Sequence, residues 1–271
     1  MKKYFRNKVV VITGSSSGIG KATAQAVGRQ GAVVVINGRN PDKLRATERW
    51  LQPECKQVVA VRADIASVDG AQHLINTVLE KCGKIDILIN NAGMSSRGYF
   101  ETLAPSVMDD MVRINLLGCL YPTRFALEAL KQTRGSVVFV SSVAGIRGLP
   151  ETSLYCASKM ALTSVAESLR VELSGDGIHV GIVYVGVTRN DPGKQVIGPD
   201  GTMITLQQRD QHRAQAPEQV AAAILGLVRR RKFKKVLTPL GKLNALANVL
   251  FPRWVDKLLI RSKERISRMN Q

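Results

Sequence analysis

Thr13-Gly14-Ser15-Ser16-Ser17-Gly18-Ile19-Gly20 follows directly on the β-branched run Val9-Val10-Val11-Ile12. A short apolar strand meeting a glycine-rich turn that opens a helix is a phosphate-binding arrangement. Gly14 permits the tight turn, Gly18 lets backbone approach the phosphates, and Gly20 lets helix and strand pack closely. Ser16, Ser17 and Ile19 complete the turn. A nucleotide's phosphates would lie on the unpaired N–H groups at the helix N-terminus. Such a turn also occurs as a purely structural device, so the downstream chain has to decide.

Downstream, short β-branched runs alternate with longer helical patterns, which is how βαβ units and a parallel sheet read. Strands are predicted near 8–13, 32–37, 57–62, 85–89, 135–141, 178–184 and 234–238. Helices are predicted near 18–30, 41–51, 67–82, 105–131, 154–174 and 217–230. Gly31 closes the first helix, Pro41 opens the second and Gly83 closes the third. The prediction is an α/β fold, a doubly wound parallel sheet of about seven strands in three layers. It occupies residues 1–240 and is followed by a basic helical extension over 241–271.

Two stretches break the alternation. Residues 186–216 lack clear periodicity and follow a strand end, where parallel sheets bind their ligands, so they read as a substrate lid or as a solvated loop. In 241–268, Leu246, Leu250, Trp254, Leu258 and Leu259 recur at helical spacing, and Pro252 should split the stretch into two short helices. Three accounts of that stripe stay open: packing on the chain's own catalytic domain, contact with a membrane surface, or contact with a partner subunit.

Composition narrows the classes. Hydrophobic content of 45% and charged content of 22% suit a folded globular protein. The net charge is +18, and from Arg229 to Gln271 thirteen Lys/Arg face only Asp256 and Glu264, a local balance of +11. No nucleic-acid-binding motif accompanies these cations and aromatics are 5%, so a nucleic-acid partner is not expected. The four cysteines, Cys55, Cys82, Cys119 and Cys156, have no paired spacing. With no secretory signal peptide, that reads as reduced thiols and a cytoplasmic setting, and no metal site is expected. No apolar run approaches the roughly 18 residues of a membrane span.

The strand ends carry the chemistry. Asn37-Gly38-Arg39-Asn40 follows the second strand. An acid there would hold ribose hydroxyls and favour NAD; Arg39 can receive a 2′-phosphate, which favours NADP, although a solvated arginine would look the same. Asp64-Ile65 suits adenine recognition, or Asp64 caps the next helix. Asn90-Asn91-Ala92-Gly93 combines amides that tie strands together with small residues that admit a nucleotide. Asn115, inside a predicted helix, can leave a kink and a carbonyl that holds water. Tyr155 and Lys159 are i and i+4, so they share a helix face, and the cation stabilises a phenolate that exchanges protons with a carbonyl oxygen. Alone, that pair is commonplace on surfaces.

Taken together, the T-G-x-x-x-G-I-G turn, N-N-A-G at 90–93, Asn115, Ser142 and Y-x-x-x-K at 155–159 resemble the classical short-chain dehydrogenase/reductases, over roughly residues 6–238. The resemblance implies a Rossmann-like fold and implies roles. Ser142 would hydrogen-bond the substrate carbonyl, with Ser141 its neighbour as the alternative. Tyr155 would be the general acid or base. Lys159 would bind the nicotinamide ribose, and Asn115 would keep a water linking Lys159 to solvent. Helices 105–131 and 154–174 would make a homodimer or homotetramer contact. After the sixth strand the chain departs from the family's pattern: Val185-Gly186-Val187-Thr188-Arg189-Asn190 lacks the usual proline and has Asn190 where threonine meets the nicotinamide carboxamide. Gly186, Thr188 and Asn190 remain the expected cofactor contacts there.

The function expected from these residues is NADP(H)-dependent interconversion of a carbonyl and a secondary alcohol on an apolar substrate. Steroid, retinoid, long-chain keto and 3-oxoacyl compounds all qualify, given Met94, Ile146, Leu149, Val187, Val196, Ile197, Met203, Ile204 and Leu206 near the lid. The alternative is a nucleotide-binding or sensing protein of weak catalysis, acting through partner or membrane contacts.

Overall fold

The computed structural model describes residues 4–207 and 214–262. Strands β1 (Val9–Ile12), β2 (Val33–Gly38), β3 (Gln57–Arg62), β4 (Ile87–Asn90), β5 (Ser136–Ser142) and β6 (His179–Val185) are joined by β9 (Lys234–Val236), the last in chain order. They pair in parallel in the order β3-β2-β1-β4-β5-β6-β9. Their sequences are nearly continuous apolar runs because both faces of the sheet are buried. Val9, Val11, Leu88, Val137 and Phe139 pack on one side, with Leu74 and Ile75 of α3 (Val68–Cys82), Ala126 and Leu130 of α5 (Gly118–Thr133) and Leu162 of α6 (Ser153–Glu172). Val10, Ile12, Ile87, Ile89 and Val138 pack on the other, with α1 (Gly18–Gly28), α2 (Pro41–Leu51) and α7 (Pro217–Arg229). The order of strands reverses between β1 and β4, which opens a crevice at their carboxyl ends.

The helix boundaries follow local chemistry. Asn40 accepts from Asp42 N and Lys43 N ahead of Pro41, and Ser67 accepts from Gly70 N to start α3. Gly83 ends α3 at φ 71°. α1 stops at Gly28, and Gly31 at φ 82° makes the turn into β2 rather than the helix end itself.

Three expectations need correction. The helix expected over 105–131 is divided: α4 (Pro105–Val112) passes through a π-helical turn, Arg113–Leu117, into α5. The widened turn is centred on Asn115, whose side chain reaches Met94 and Ser158 outside the helix as well as Met111 Sδ of α4. The lid carries regular structure, an antiparallel hairpin of β7 (Gln195–Ile197) and β8 (Met203–Thr205), pinned by a bridge between Ser96 and Ile197. Residues 208–213 of the expected lid lie outside the described residues. Pro252 does split the C-terminal stretch, into α8 (Pro239–Leu250) and α9 (Pro252–Arg261), but the apolar stripe does not pack on the catalytic domain. Leu246, Leu250, Trp254 and Leu258 are all more than half exposed, while Val255 and Leu259 are half-buried.

At the base of the sheet His179 is buried, its Nδ1 3.3 Å from Ser136 Oγ and its Nε2 3.0 Å from the Lys232 carbonyl. Burial holds this imidazole below its ordinary value of 6.5; the Lys232 carbonyl opposes that and the Arg231 charge adds to it. The unfolded chain therefore takes up a proton first as pH falls, and the stability His179 contributes above about pH 6.5 is lost below it. The urea midpoint should drop between about pH 7 and about pH 5.5, and should drop less in His179→Gln. An identical pH dependence in the two proteins would contradict this.

Candidate active site

The crevice is held open by a network on the ends of β1 to β4. Thr13 Oγ1 accepts from Asn91 N at 3.0 Å and from Ala92 N at 3.1 Å. Asn91 Nδ2 donates back to the carbonyls of Thr13 (2.9 Å) and Gly14 (3.0 Å). Ser15 Oγ donates to the Ile12 carbonyl at 2.7 Å and accepts from Asn37 N at 2.9 Å, and Asn37 Nδ2 reaches the carbonyls of Val61 and Ala63. Asn91 is thus a strut for the glycine turn. Thr13, Ser15 and Asn37 stand within the stretches quoted from the sequence, but their role as struts was not read there; a polar residue at each successive strand end was the available signal.

The glycines are required by space. Gly14 has φ 60°, and a Cβ on it would lie 2.7 Å from Ala92 Cα. A Cβ on Gly20 would lie 2.5 Å from both Asn91 Nδ2 and the Gly14 carbonyl, so Gly20 serves the turn as much as the strand packing. Ser17 stands at the N-cap of α1 without a side-chain cap, and Ser16 and Ile19 flank it, half-buried. The first amide of that helix, Gly18 N, donates to Asp191 Oδ2 of the lid at 2.8 Å.

Arg39 is exposed just beyond β2, and Arg62 Nε donates to its carbonyl at 3.2 Å, so two guanidinium side chains stem from adjacent strand ends. Gly38 approaches Ser16 closely, since a Cβ there would be 3.0 Å from Ser16 Oγ. Asp64 is exposed and accepts from Ala66 N in a tight turn, whereas the cap of α3 is Ser67. The Ile65 side chain is buried in the core, which leaves only its backbone for a ligand.

Lys159 is 4% exposed, and its Nζ donates to the Val140 carbonyl at 3.1 Å. Ser141 Oγ donates to the Lys159 carbonyl at 3.0 Å, so β5 grips this residue at both ends and Ser141 is occupied with it. Ser142, half-buried at the end of β5, accepts from Ala144 N at 3.2 Å and stands at the crevice. Tyr155 lies one turn before Lys159 on α6. The Tyr155 carbonyl accepts from Ser158 Oγ at 2.8 Å, and Ser158 Oγ accepts from Asn115 Nδ2 at 3.1 Å. Asn115 also exchanges hydrogen bonds with Met94 N and Met94 O, both at 2.8 Å. A Cβ on Gly93 would lie 3.0 Å from Asn115 Oδ1 and 3.1 Å from Lys159 Nζ, so the three residues meet at one point. Burial pushes the neighbouring Cys119 thiol up, and the Lys159 charge pulls against that. Ser158 is the member of this cluster that the motif pattern did not supply.

Beyond β6 the expected contacts are already engaged with protein. Thr188 Oγ1 donates to the Gly186 carbonyl at 3.1 Å, and Asn190 Nδ2 donates to the Gln207 carbonyl at 3.3 Å. Gly186 is jammed against Thr238, whose Cγ2 would be 2.5 Å from a Cβ, and Thr238 is the N-cap of α8.

A doubly wound sheet with a glycine turn at its reversal point and a buried Lys beside Asn and Gly on the next strand end defines a dinucleotide-binding oxidoreductase architecture. The profile of the short chain dehydrogenase family matches residues 8–197. The chain belongs to the short-chain dehydrogenase/reductase family, whose members use a nicotinamide cofactor. It is 40% identical over 181 residues to a 3-ketodihydrosphingosine reductase of Bos taurus, covering 65% of this chain and 54% of that protein. It is 36% identical over 185 residues to an 11-beta-hydroxysteroid dehydrogenase-like 4A protein of Arabidopsis thaliana, covering 68% and 62%. The chain thus spans less than two thirds of the length of these two relatives. A dehydrogenase/reductase SDR family member 7B of Bos taurus is 31% identical over 267 residues, covering 96% and 82%. Among solved structures, an alcohol dehydrogenase of Thermococcus sibiricus complexed with 5-hydroxy-NADP superposes with a TM-score of 0.75 at 24% identity, covering 86% and 96%. That last likeness is one of fold.

Phosphates brought to the α1 N-terminus compete with the Asp191 carboxylate for the Gly18 N–H. Asp191→Ala should tighten nicotinamide dinucleotide binding by roughly two- to fivefold, the scale of an exposed charge contact. Titration by intrinsic fluorescence checks this, and weaker binding in the variant would contradict it.

Proposed function

We propose that this protein reduces a ketone on an apolar substrate to a secondary alcohol with NADPH, or runs the reverse oxidation with NADP. The observation that carries the reading is the buried Lys159 ammonium, adjoining Gly93 and Asn115 and one helical turn from Tyr155. The close fit of Gly14 and Gly20, the positive φ of Gly18, and an α1 N-terminus that its N-cap residue Ser17 leaves without a side-chain cap, with the Asp191 carboxylate on Gly18 N, fit a dinucleotide pyrophosphate. Exposed Arg39, with Arg62 beside its backbone, fits a 2′-phosphate better than a bare ribose. Asp64, the Ile65 backbone and Ala92 would border the adenosine half, and Gly186, Thr188 and Asn190 the nicotinamide half.

When bound, the reduced nicotinamide supplies a hydride to the carbonyl carbon. Ser142 Oγ–H hydrogen-bonds the carbonyl oxygen and orients it. Tyr155 passes its phenolic proton to that oxygen as negative charge develops there. Lys159 stabilises the phenolate left behind, and the Asn115 side of the cluster is its route to solvent protons. Asn115 holds the strand end after β4 against α6, which keeps Lys159 and Tyr155 in register with the crevice.

An apolar substrate is supported by the lid, where Val187, Met203 and Ile204 are exposed. Val196 and Ile197 are instead buried, and Ile197 packs with Met94 in a small cluster built mainly on Val107 and Met111 of α4. The names of two relatives above, a 3-ketodihydrosphingosine reductase and an 11-beta-hydroxysteroid dehydrogenase-like protein, point the same way. Self-association across α5 and α6 belongs to this reading, since Met160 and Val171 of α6 are exposed. A monomer by sedimentation would remove that part.

Tyr155→Phe keeps the ring and removes the proton donor, so it should abolish ketone reduction and leave NADPH affinity nearly unchanged. Near-normal turnover in this variant would refute the mechanism. A charge-assisted phosphate contact contributes about 1.5–3 kcal/mol, roughly ten- to a hundredfold in affinity. The protein should therefore prefer NADPH over NADH by about that factor, and Arg39→Ala should shrink the preference. Equal use of both nucleotides by the unaltered protein would exclude the 2′-phosphate site.

A further inference from the structure

The helix pair α8–α9 has two faces of opposite character. At 3.6 residues per turn, Gly241, Ala245 and Asn248 fall on one side of α8, and Leu240, Leu243 and Leu250 on the other. The first side is docked. Asn248 Nδ2 donates to the Ile146 carbonyl at 3.4 Å, and Arg147 hydrogen-bonds Asn248 Oδ1 and pairs with Asp256 of α9. Gly241 is buried so tightly that a Cβ would lie 2.7 Å from Val143 Cγ1. The second side is exposed: Leu240, Leu243, Leu250, Phe251, Trp254 and Leu258 each leave more than half of their surface to solvent. The docked contacts fix the pair, so the apolar side cannot turn inward without breaking them.

Cations line the flank of that apolar side. Arg253, Lys257 and Arg261 recur every four residues along α9, and Lys242 stands on α8. Lys242 also belongs to a wider basic cluster with Arg230, Lys232 and Lys235, in which burial and then the neighbouring charges hold Lys235 below its ordinary range. Lys263, Arg265 and Arg268 follow in the sequence, outside the described residues. No helix among the described residues is long and apolar enough to cross a membrane.

We propose that the exposed face of α8–α9 is a docking surface for an anionic lipid bilayer, which the protein meets without spanning it. Short amphipathic helices with Leu and Trp on one face and Lys/Arg on its flank bind at the headgroup boundary. The charge decides the occupant. A second copy of this chain would bring the same cations against these, whereas acidic headgroups neutralise them, at about 1 kcal/mol per cation. The docked side rests on Val143, Ile146 and Arg147, the segment directly after Ser142, and Thr238 at the start of α8 packs on Gly186. The bilayer would thus lie beside the mouth of the crevice. The surface itself does not depend on the catalytic reading and is tested without turnover.

The test is flotation of the full chain with vesicles of phosphatidylcholine, with and without phosphatidylserine, at low and high salt. Trp254 is read by fluorescence in a Trp50→Phe background, which leaves it the sole tryptophan. The protein should float with phosphatidylserine vesicles at low salt, release at high salt, and show a blue-shifted Trp254. Lys257→Glu with Arg261→Glu should weaken binding by at least tenfold, and Leu243→Glu with Trp254→Glu should abolish flotation. Both variants should keep the circular dichroism and NADPH affinity of the parent. If the parent ignores phosphatidylserine vesicles at low salt, the proposal is overturned. Loss of an oligomer in the leucine and tryptophan variant, with no vesicle binding by the parent, would assign the face to a second copy instead.

Discussion

A buried lysine ammonium is expensive unless its surroundings are built to hold it. The surroundings of Lys159 are main-chain carbonyls and an amide. β5 holds its Nζ through the Val140 carbonyl and its own carbonyl through Ser141 Oγ. Gly145 is required beside it, because a Cβ there would lie 2.8 Å from the Lys159 carbonyl oxygen. Gly93 and Asn115 close the other side. The π-turn follows from the same demand: Asn115 is on a helix but its side chain is spent on Met94 and Ser158, so the ladder widens around it.

This arrangement makes the site a joint product of the sheet and the helices packed on one of its faces. The sheet brings the ends of β1, β4 and β5 together, the π-turn between α4 and α5 delivers Asn115, and α6 delivers Tyr155 and Lys159. Ser15, Asn37 and Asn91 link the ends of β1 to β4 through hydrogen bonds, so the glycine turn is held in shape by protein. Preorganisation of that kind lets a charged group act on a reacting oxygen without first moving solvent or backbone.

The fold was legible because parallel strands buried on both faces leave unbroken apolar runs, and because Pro41 opens the second helix and Gly83 closes the third. The preference for Ser142 over Ser141 rests on the resemblance, and in the structure Ser141 Oγ is taken up by the Lys159 carbonyl. The π-turn was not, because it depends on Asn115 meeting Met94 and Ser158 across the fold. The lid hairpin escaped because strands of three residues carry too little pattern, and its anchor is a tertiary bridge to Ser96. Pro252 announced the break between α8 and α9. Their outward apolar face did not show in periodicity, which is the same for a stripe packed inward; Arg147 and Asn248 decide it.

The central claim is that the Lys159 cluster supports transfer of hydride to a ketone. The direct measurement is a single-turnover reaction with NADPH deuterated at the transferring C4 position, using a steroid ketone and a long-chain 3-keto compound, with mass analysis of the alcohol. The account predicts one deuterium on the carbinol carbon with at least one of these ketones, and none when Lys159 is replaced by methionine. Binding of NADPH and ketone with no deuterium in any product would contradict it and leave the chain a nucleotide-binding protein without this chemistry.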